Sequence, residues 1–259
     1  MAKAISSTGR CCCPPRALPP NSPVCWLEAV SIMRDAAVLF DLDGTLLDTP
    51  ALIVRVFESV LKRHGVAFDA DRARRTIGIP LQQAFSQLLS ASDAALIETC
   101  MGEYRSIFKR ESETFAERLP FPEARPFIET LKRSGVKIAA VTSKIQVSAE
   151  DILAATRLRE LFDGVFGHDA VEHGKPAPDL ALLAASSLQV APRDALVIGD
   201  STDDLLMARA AGIDAIGVGW GVSSRADFAG KGFPEPVADW AALRSRTARW
   251  LSPIQLSEH

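Results

Sequence analysis

The chain has 259 residues, 47% of them apolar and 24% charged, with a net charge of −3. That is ample material for a large core and for more than one module. No basic block with interleaved aromatics and no apolar stretch of membrane-spanning length occurs, so neither a nucleic-acid partner nor a membrane partner is expected.

In chain order, residues 1–33 come first and form a stretch rich in Pro, Ser and Cys without periodicity, for example Cys13-Pro14-Pro15 and Leu18-Pro19-Pro20. Prolines and Glu28 rule it out as a signal peptide. A disordered tail is expected, with Met33 as the natural start because Met33-Arg34-Asp35 leads straight into the first strand. Cys11, Cys12, Cys13 and Cys25 all lie in this tail and lack C-x-x-C spacing, leaving Cys100 for the folded part. That usage argues for a reducing compartment, and a cytoplasmic location is expected.

Ala36–Phe40 is an apolar run that reads as a strand buried on both faces. It ends in Asp41-Leu42-Asp43-Gly44-Thr45. Side chains at i and i+2 of a strand share a face, so both carboxylates can converge at its C-terminal end. Two such charges 4 Å apart repel by about 4 kcal/mol at an effective dielectric near 20, so the site needs a cation, a shared proton or both. Residues 49–120 then read as helical. Leu52, Ile53, Val56, Phe57, Val60 and Leu61 form one stripe, and Leu81–Ser90 and Ala94–Arg110 are further helices. Pro50 at one junction and Pro120 and Pro122 at the other suit hinges.

From residue 121 strands and helices alternate. Val136–Val141, Gly164–Gly167, Ala195–Ile198 and Ala215–Val218 read as strands, and Pro126–Ser134, Gln146–Thr156, Asp179–Leu188 and Thr202–Ala211 as helices. The expected fold class is α/β, a doubly wound parallel sheet with an inserted helical cap. Its expected divisions are a tail 1–33, a core 34–48 and 121–247, a cap 49–120 and a C-terminal tail 248–259. Polar residues gather at the strand ends: Asp41 and Asp43, then Thr142, Ser143 and Lys144, then Asp200 to Asp204, with Lys175 in a proline-rich loop. In a doubly wound sheet these ends open onto one crevice. Carboxylates, hydroxyls and an ammonium there suit an anionic substrate bound through a divalent metal.

Asp41-Leu42-Asp43-Gly44-Thr45-Leu46, Val141-Thr142-Ser143-Lys144, Lys175-Pro176-Ala177-Pro178 and Gly199-Asp200-Ser201-Thr202-Asp203-Asp204 resemble, in order, the four motifs of the haloacid dehalogenase-like hydrolases. The helical insert resembles the cap of phosphoglycolate phosphatase and its relatives. The resemblance implies that Asp41 attacks phosphorus and Asp43 acts as acid and base. It implies that Thr142, Ser143 (through its N–H) and Lys175 hold the phosphoryl group. Asp41, the Asp43 carbonyl and Asp200 would bind Mg²⁺, with Asp204, Gly44 and Thr45 in support. Relatives often carry Asn where Ser143 stands. A carboxylate at Asp43 favours phosphate esters over halides, which need no proton to leave. The implied partner is a small phosphorylated metabolite, 2-phosphoglycolate first and pyrophosphate or a sugar phosphate next, with a phosphomutase as a rival. A monomer or homodimer is expected. The cap loop Thr76–Leu81, preceded by Arg72, Arg74 and Arg75, is expected to choose the substrate. From other classes, a silent binding module on the same fold and a dinucleotide site at Gly217–Gly221 are the rivals; the latter lacks G-x-G-x-x-G spacing.

Overall fold

Strands β1 (Ala37–Phe40), β2 (Lys137–Thr142), β3 (Gly164–Gly167), β4 (Ala195–Gly199) and β5 (Asp214–Gly217) form one sheet in the computed structural model, which describes residues 35–89 and 93–252. The order is β3-β2-β1-β4-β5, and every pairing is parallel. The chain runs outward from β1 through β2 to β3, then crosses back to β4 beside β1. The direction of winding therefore reverses between β1 and β4, the place where open α/β sheets bind ligands. The expected tail and the start at Met33 lie outside the described residues, as do residues 253–259.

Alternate residues of the sheet feed two cores. Val38, Phe40, Ile138, Ala140, Leu196 and Ile198 pack on one face, against α5 (Ala124–Arg133), α6 (Gln146–Ala155) and α10 (Trp240–Leu251). Ala37, Leu39, Ala139, Val141, Ala195 and Val197 pack on the other, against α7 (Asp179–Ser187) and α8 (Thr202–Ala211). Burial on both sides is why these strands read as unbroken apolar runs. A fully buried Leu39 or Val38 contributes about 1.5–3 kcal/mol relative to exposure.

The insert after β1 contains α1 (Pro50–Arg63), α2 (Ala70–Arg74), α3 (Leu81–Leu89) and α4 (Ala94–Thr114). Phe57, Phe85, Tyr104 and Phe108 form its aromatic centre, with ring centroids 4.7–6.0 Å apart. The linkers into and out of this cap run side by side. Asp48 N–H donates to the Leu119 carbonyl at 2.7 Å, and Phe121 N–H to that of Leu46 at 3.0 Å.

Three α-helices lie beyond the expected set: α2 in the insert, and α9 (Arg225–Gly230) and α10, which complete the described chain. Helix α10 crosses the boundary expected at residue 248, because Leu251 is buried in the first core and holds the last turn on the sheet layer. Among the described residues no helix is long and apolar enough to cross a membrane.

Candidate active site

Asp41 follows β1 directly, and its N–H donates to the Ile198 carbonyl of β4 at 3.0 Å. Its side chain is thereby fixed at the switch point. Lys175, from the loop before α7, places Nζ 2.7 Å from Asp41 Oδ1 and 2.5 Å from Asp204 Oδ1. Asp204 has a second task. With Ser201 it forms the capping box of α8, its Oδ2 accepting from the Ser201 N–H at 3.1 Å and hydroxyl at 2.6 Å. One carboxylate thus starts a helix and aims an ammonium at Asp41.

Asp200, at the end of β4, is held from two sides. Thr45 Oγ1 donates to its Oδ1 at 3.0 Å, and the Val222 N–H to its Oδ2 at 2.7 Å. Gly44 sits at φ +82° and, like Gly221, lies so close that a Cβ would overlap the Asp200 carboxylate. The glycine-rich segment Gly217–Gly221 is therefore the end of β5 and one wall of the Asp200 cradle.

Oxygens of Asp41, Asp200 and Asp204 lie within 4.8 Å of one another, all buried. Three carboxylates face one ammonium. Burial, reinforced by Asp204, Asp200 and Asp43 and opposed by Lys175, holds Asp41 well above the ordinary carboxylate range. Asp200 is pushed up to about 7, by burial first and Asp204 second. Burial works against the charge of Lys175, but Asp204 and Asp41 outweigh it and raise its affinity for the proton. A divalent cation fits this imbalance, and an all-oxygen donor set suits Mg²⁺. Asp204 already joins the Lys175 ammonium to the start of α8, whereas Asp41 and Asp200 follow the adjacent strands β1 and β4 at the switch point, which makes them the side chains placed to ligate it. The Asp43 carboxylate is not part of this cluster.

Asp43 is gripped elsewhere. Its Oδ1 accepts from Thr49 Oγ1 at 2.6 Å and its Oδ2 is 2.9 Å from Lys144 Nζ. Thr49 is the N-cap residue of α1 yet makes no capping bond with its side chain, whose hydroxyl serves Asp43 instead. Lys144 also lies 4.1 Å from the centre of the Phe108 ring in the cap. Thr142 is buried and lines the cavity; its Oγ1 accepts from the Lys144 N–H at 3.3 Å. The Ser143 hydroxyl donates to the Gly78 carbonyl of the cap at 2.5 Å, which leaves its backbone N–H for the expected phosphoryl contact.

Asp41, Asp43, Thr142, Ser143, Lys175 and Asp200 line one cavity between sheet and cap; the expected supporting residues Asp204, Thr45 and Gly44 do not line it, Asp204 contacting Lys175 and the other two lying against Asp200. The expected selectivity loop lines it through Thr76, Ile77, Gly78, Ile79 and Leu81. Arg72, Arg74 and Arg75 do not line it: Arg72 donates to the Gln87 carbonyl, and the other two are exposed. Thr49, Lys144, Tyr104 and the Val222 N–H are site groups to which the motifs assign no role. In sequence Thr49 is only a threonine before Pro50 at a helix start, and Tyr104 only a member of an apolar helix stripe.

A doubly wound core with converging acidic strand ends, a fixed lysine and a helical lid over the crevice defines a capped α/β hydrolase of the phosphoryl-transfer kind. Residues 38–218 match the family model described as haloacid dehalogenase-like hydrolase. The chain belongs to that family. It is 41% identical over 187 residues to "Probable phosphatase IndB" of Dickeya dadantii, covering 71% of this chain and 81% of that one. It is 31% identical over 195 residues to "Pyrophosphatase PpaX" of Bacillus mycoides, covering 75% and 88%. A solved haloacid dehalogenase-like family hydrolase from Streptococcus pneumoniae superposes with TM-score 0.68 at 29% identity, covering 82% of this chain and 97% of that one.

Proposed function

We propose that the protein is a Mg²⁺-dependent phosphatase that hydrolyses a small phosphate monoester through an aspartyl-phosphate on Asp41. The observation that carries this reading is the grip on Asp41: one carboxylate oxygen lies 2.7 Å from the buried Lys175 ammonium, beside Asp200 and two residues before Asp43. An oxygen of Asp41 attacks phosphorus, and the bond from phosphorus to the leaving oxygen breaks. Asp43 gives its proton to that oxygen. In the second half-reaction Asp43 takes a proton from water as the water attacks phosphorus, and the bond to Asp41 breaks to release phosphate. Lys175 offsets charge on Asp41 and on the equatorial oxygens, and Thr142 with the Ser143 N–H donates to the same oxygens. Mg²⁺ held by Asp41 and Asp200, with the Asp43 carbonyl, would supply charge neutralisation at the phosphoryl group.

The reading takes a small phosphorylated metabolite as partner, a cytoplasmic setting, a cap over residues 49–120 and a monomer or homodimer as the working unit. Pyrophosphate is a second reading, favoured by the name of the Bacillus mycoides relative. A screen of phosphate esters with and without Mg²⁺ tests the chemistry. Turnover is expected to stop with EDTA and in Asp41→Asn. Full activity in that variant, or turnover indifferent to metal, would reject it.

A further inference from the structure

The cavity, about 300 Å³, extends from the reacting carboxylates to the facing sides of α4 in the cap and α6 in the core. Helix α4 supplies Arg105, Phe108 and Lys109 to its wall, and α6 supplies Val147, Ser148 and Asp151. Lys109 Nζ meets Asp151 Oδ2 at 2.9 Å and ties the two helices together. Arg105 precedes Lys109 by one helical turn, and Ser148 precedes Asp151 by one. Each therefore lies on the face of its helix that carries the bridge.

The lysines that line the cavity are all neutralised: Lys175 by Asp41 and Asp204, Lys144 by Asp43, and Lys109 by Asp151. Arg105 is not. Among the described residues it has neither an ion pair nor a hydrogen bond, and Asp151, which could answer its charge, is held by Lys109. The Ser148 hydroxyl and the His168 imidazole line the same cavity and likewise have no hydrogen bond among the described residues, nor does the hydroxyl of Ser106 beside Arg105. His168 follows β3. Its main-chain N–H, on the Lys144 carbonyl at 2.9 Å, keeps it next to the loop that carries Ser143 and Lys144.

Arg105, Ser148 and His168 are half-buried. A guanidinium partly shielded from water attracts an anion more strongly than one on an open surface. Its planar fork matches a carboxylate or a phosphate with two parallel bonds. Elsewhere the cap wall is apolar, with Phe57, Ile77, Ile79 and Phe108, and suits a short carbon skeleton. Resting on the phosphatase reading, we propose that Arg105 of the cap, with Ser148 and His168 of the core, binds a second anionic group, carboxylate or phosphate, carried by the leaving alcohol.

Three esters with one carbon skeleton test it, differing at the far end. Glycerol 3-phosphate ends in a hydroxyl, 3-phosphoglycerate in a carboxylate and glycerol 1,3-bisphosphate in a phosphate. With Mg²⁺ present, kcat/KM for at least one anionic ester is expected to exceed that for glycerol 3-phosphate about ten- to a hundredfold, the effect of charge-assisted hydrogen bonds. Preference for 3-phosphoglycerate alone assigns the subsite to a carboxylate, for the bisphosphate alone to a phosphate, and for both to either anion. In Arg105→Gln the ratio should fall to near one, and Arg105→Lys should restore part of it. Ser148→Ala and His168→Ala should each lower it about three- to tenfold, and an unchanged ratio in either would remove that residue. A parent enzyme that hydrolyses glycerol 3-phosphate at least as well as the anionic esters would overturn the subsite. So would an Arg105→Gln variant that keeps the ratio by losing the same factor on all three, which places Arg105 in the fold of the cap. Either result, with turnover still dependent on metal and on Asp41, leaves the phosphatase reading standing. No turnover of any probe, or turnover that survives Asp41→Asn, would sink that reading and this inference together.

Discussion

Thr49 shows what one side chain gives up for chemistry. The side-chain oxygen of a threonine at an N-cap ordinarily accepts from a backbone N–H of the first turn and contributes about 1 kcal/mol to the helix. Here the hydroxyl faces Asp43 at 2.6 Å and α1 starts on Pro50 without it. Thr49→Val should therefore leave thermal stability nearly unchanged, the capping bond being absent already. The rate of ester hydrolysis should fall about tenfold, the cost of one hydrogen bond to a charged group. Paired melting curves and steady-state kinetics check it; a large loss of stability at unchanged rate would place Thr49 in the fold alone. The motif residues were legible through their joint order: Asp41, Asp43 and Asp200 stand just after apolar strands, and Lys175 stands in a proline-rich loop between them in sequence. Thr49, Tyr104 and the Val222 N–H were not. A hydroxyl at a helix start, a tyrosine in an apolar stripe and a main-chain donor look the same in sequence whether they serve the site or only the fold.

Helix α8 joins capping to catalysis. Its N-cap Ser201 and its third residue Asp204 close a capping box, and the same Asp204 holds Lys175 at 2.5 Å. Ser201→Ala removes the cap and the 2.6 Å bond that fixes Asp204. The expected cost is about 1 kcal/mol, a drop in Tm of about 2–4 °C for a chain of this size. Activity should fall by less than in Lys175→Met, which deletes the ammonium itself. If Ser201→Ala equals Lys175→Met in rate while melting like the parent, capping is not what positions Asp204. Sequence periodicity placed the strands and most helices because each carries a continuous apolar run or stripe. It passed over α9, six residues long, whose sign was the Ser224–Asp227 capping box. It passed over α10 as well. Its buried stripe is Trp240, Leu243, Thr247 and Leu251, spaced through arginines and ending beyond the motifs that drew the boundary at residue 247.

The molecule gathers more negative charge at the switch point than the buried Lys175 offsets, and that excess sets how stability depends on pH and metal. Without a cation, the folded chain keeps protons on Asp41 and Asp200 that the unfolded chain has released. Asp200 is raised from 3.8 to about 7, and Asp41 is raised in the same direction, by burial first in both. For an acid with a raised folded pKa, the native state binds more protons than the unfolded state. Stability from these groups is thus present below the unfolded value and lost as pH rises through the window up to about 7. A divalent cation such as Mg²⁺ would bind the ionised carboxylates in competition with those protons, and so would remove the same penalty. The gain in Tm on saturating with Mg²⁺ is expected to be small near about pH 5 and to grow toward about pH 8. In Asp200→Asn the gain should shrink and lose most of its slope, since the variant carries one charge fewer and one ligand fewer. Thermal melts across that range, with Mg²⁺ and with EDTA, decide it. A gain that is flat with pH in the parent would mean that the cation does not displace protons from Asp41 and Asp200, and that the acidic cluster is balanced by the protein alone.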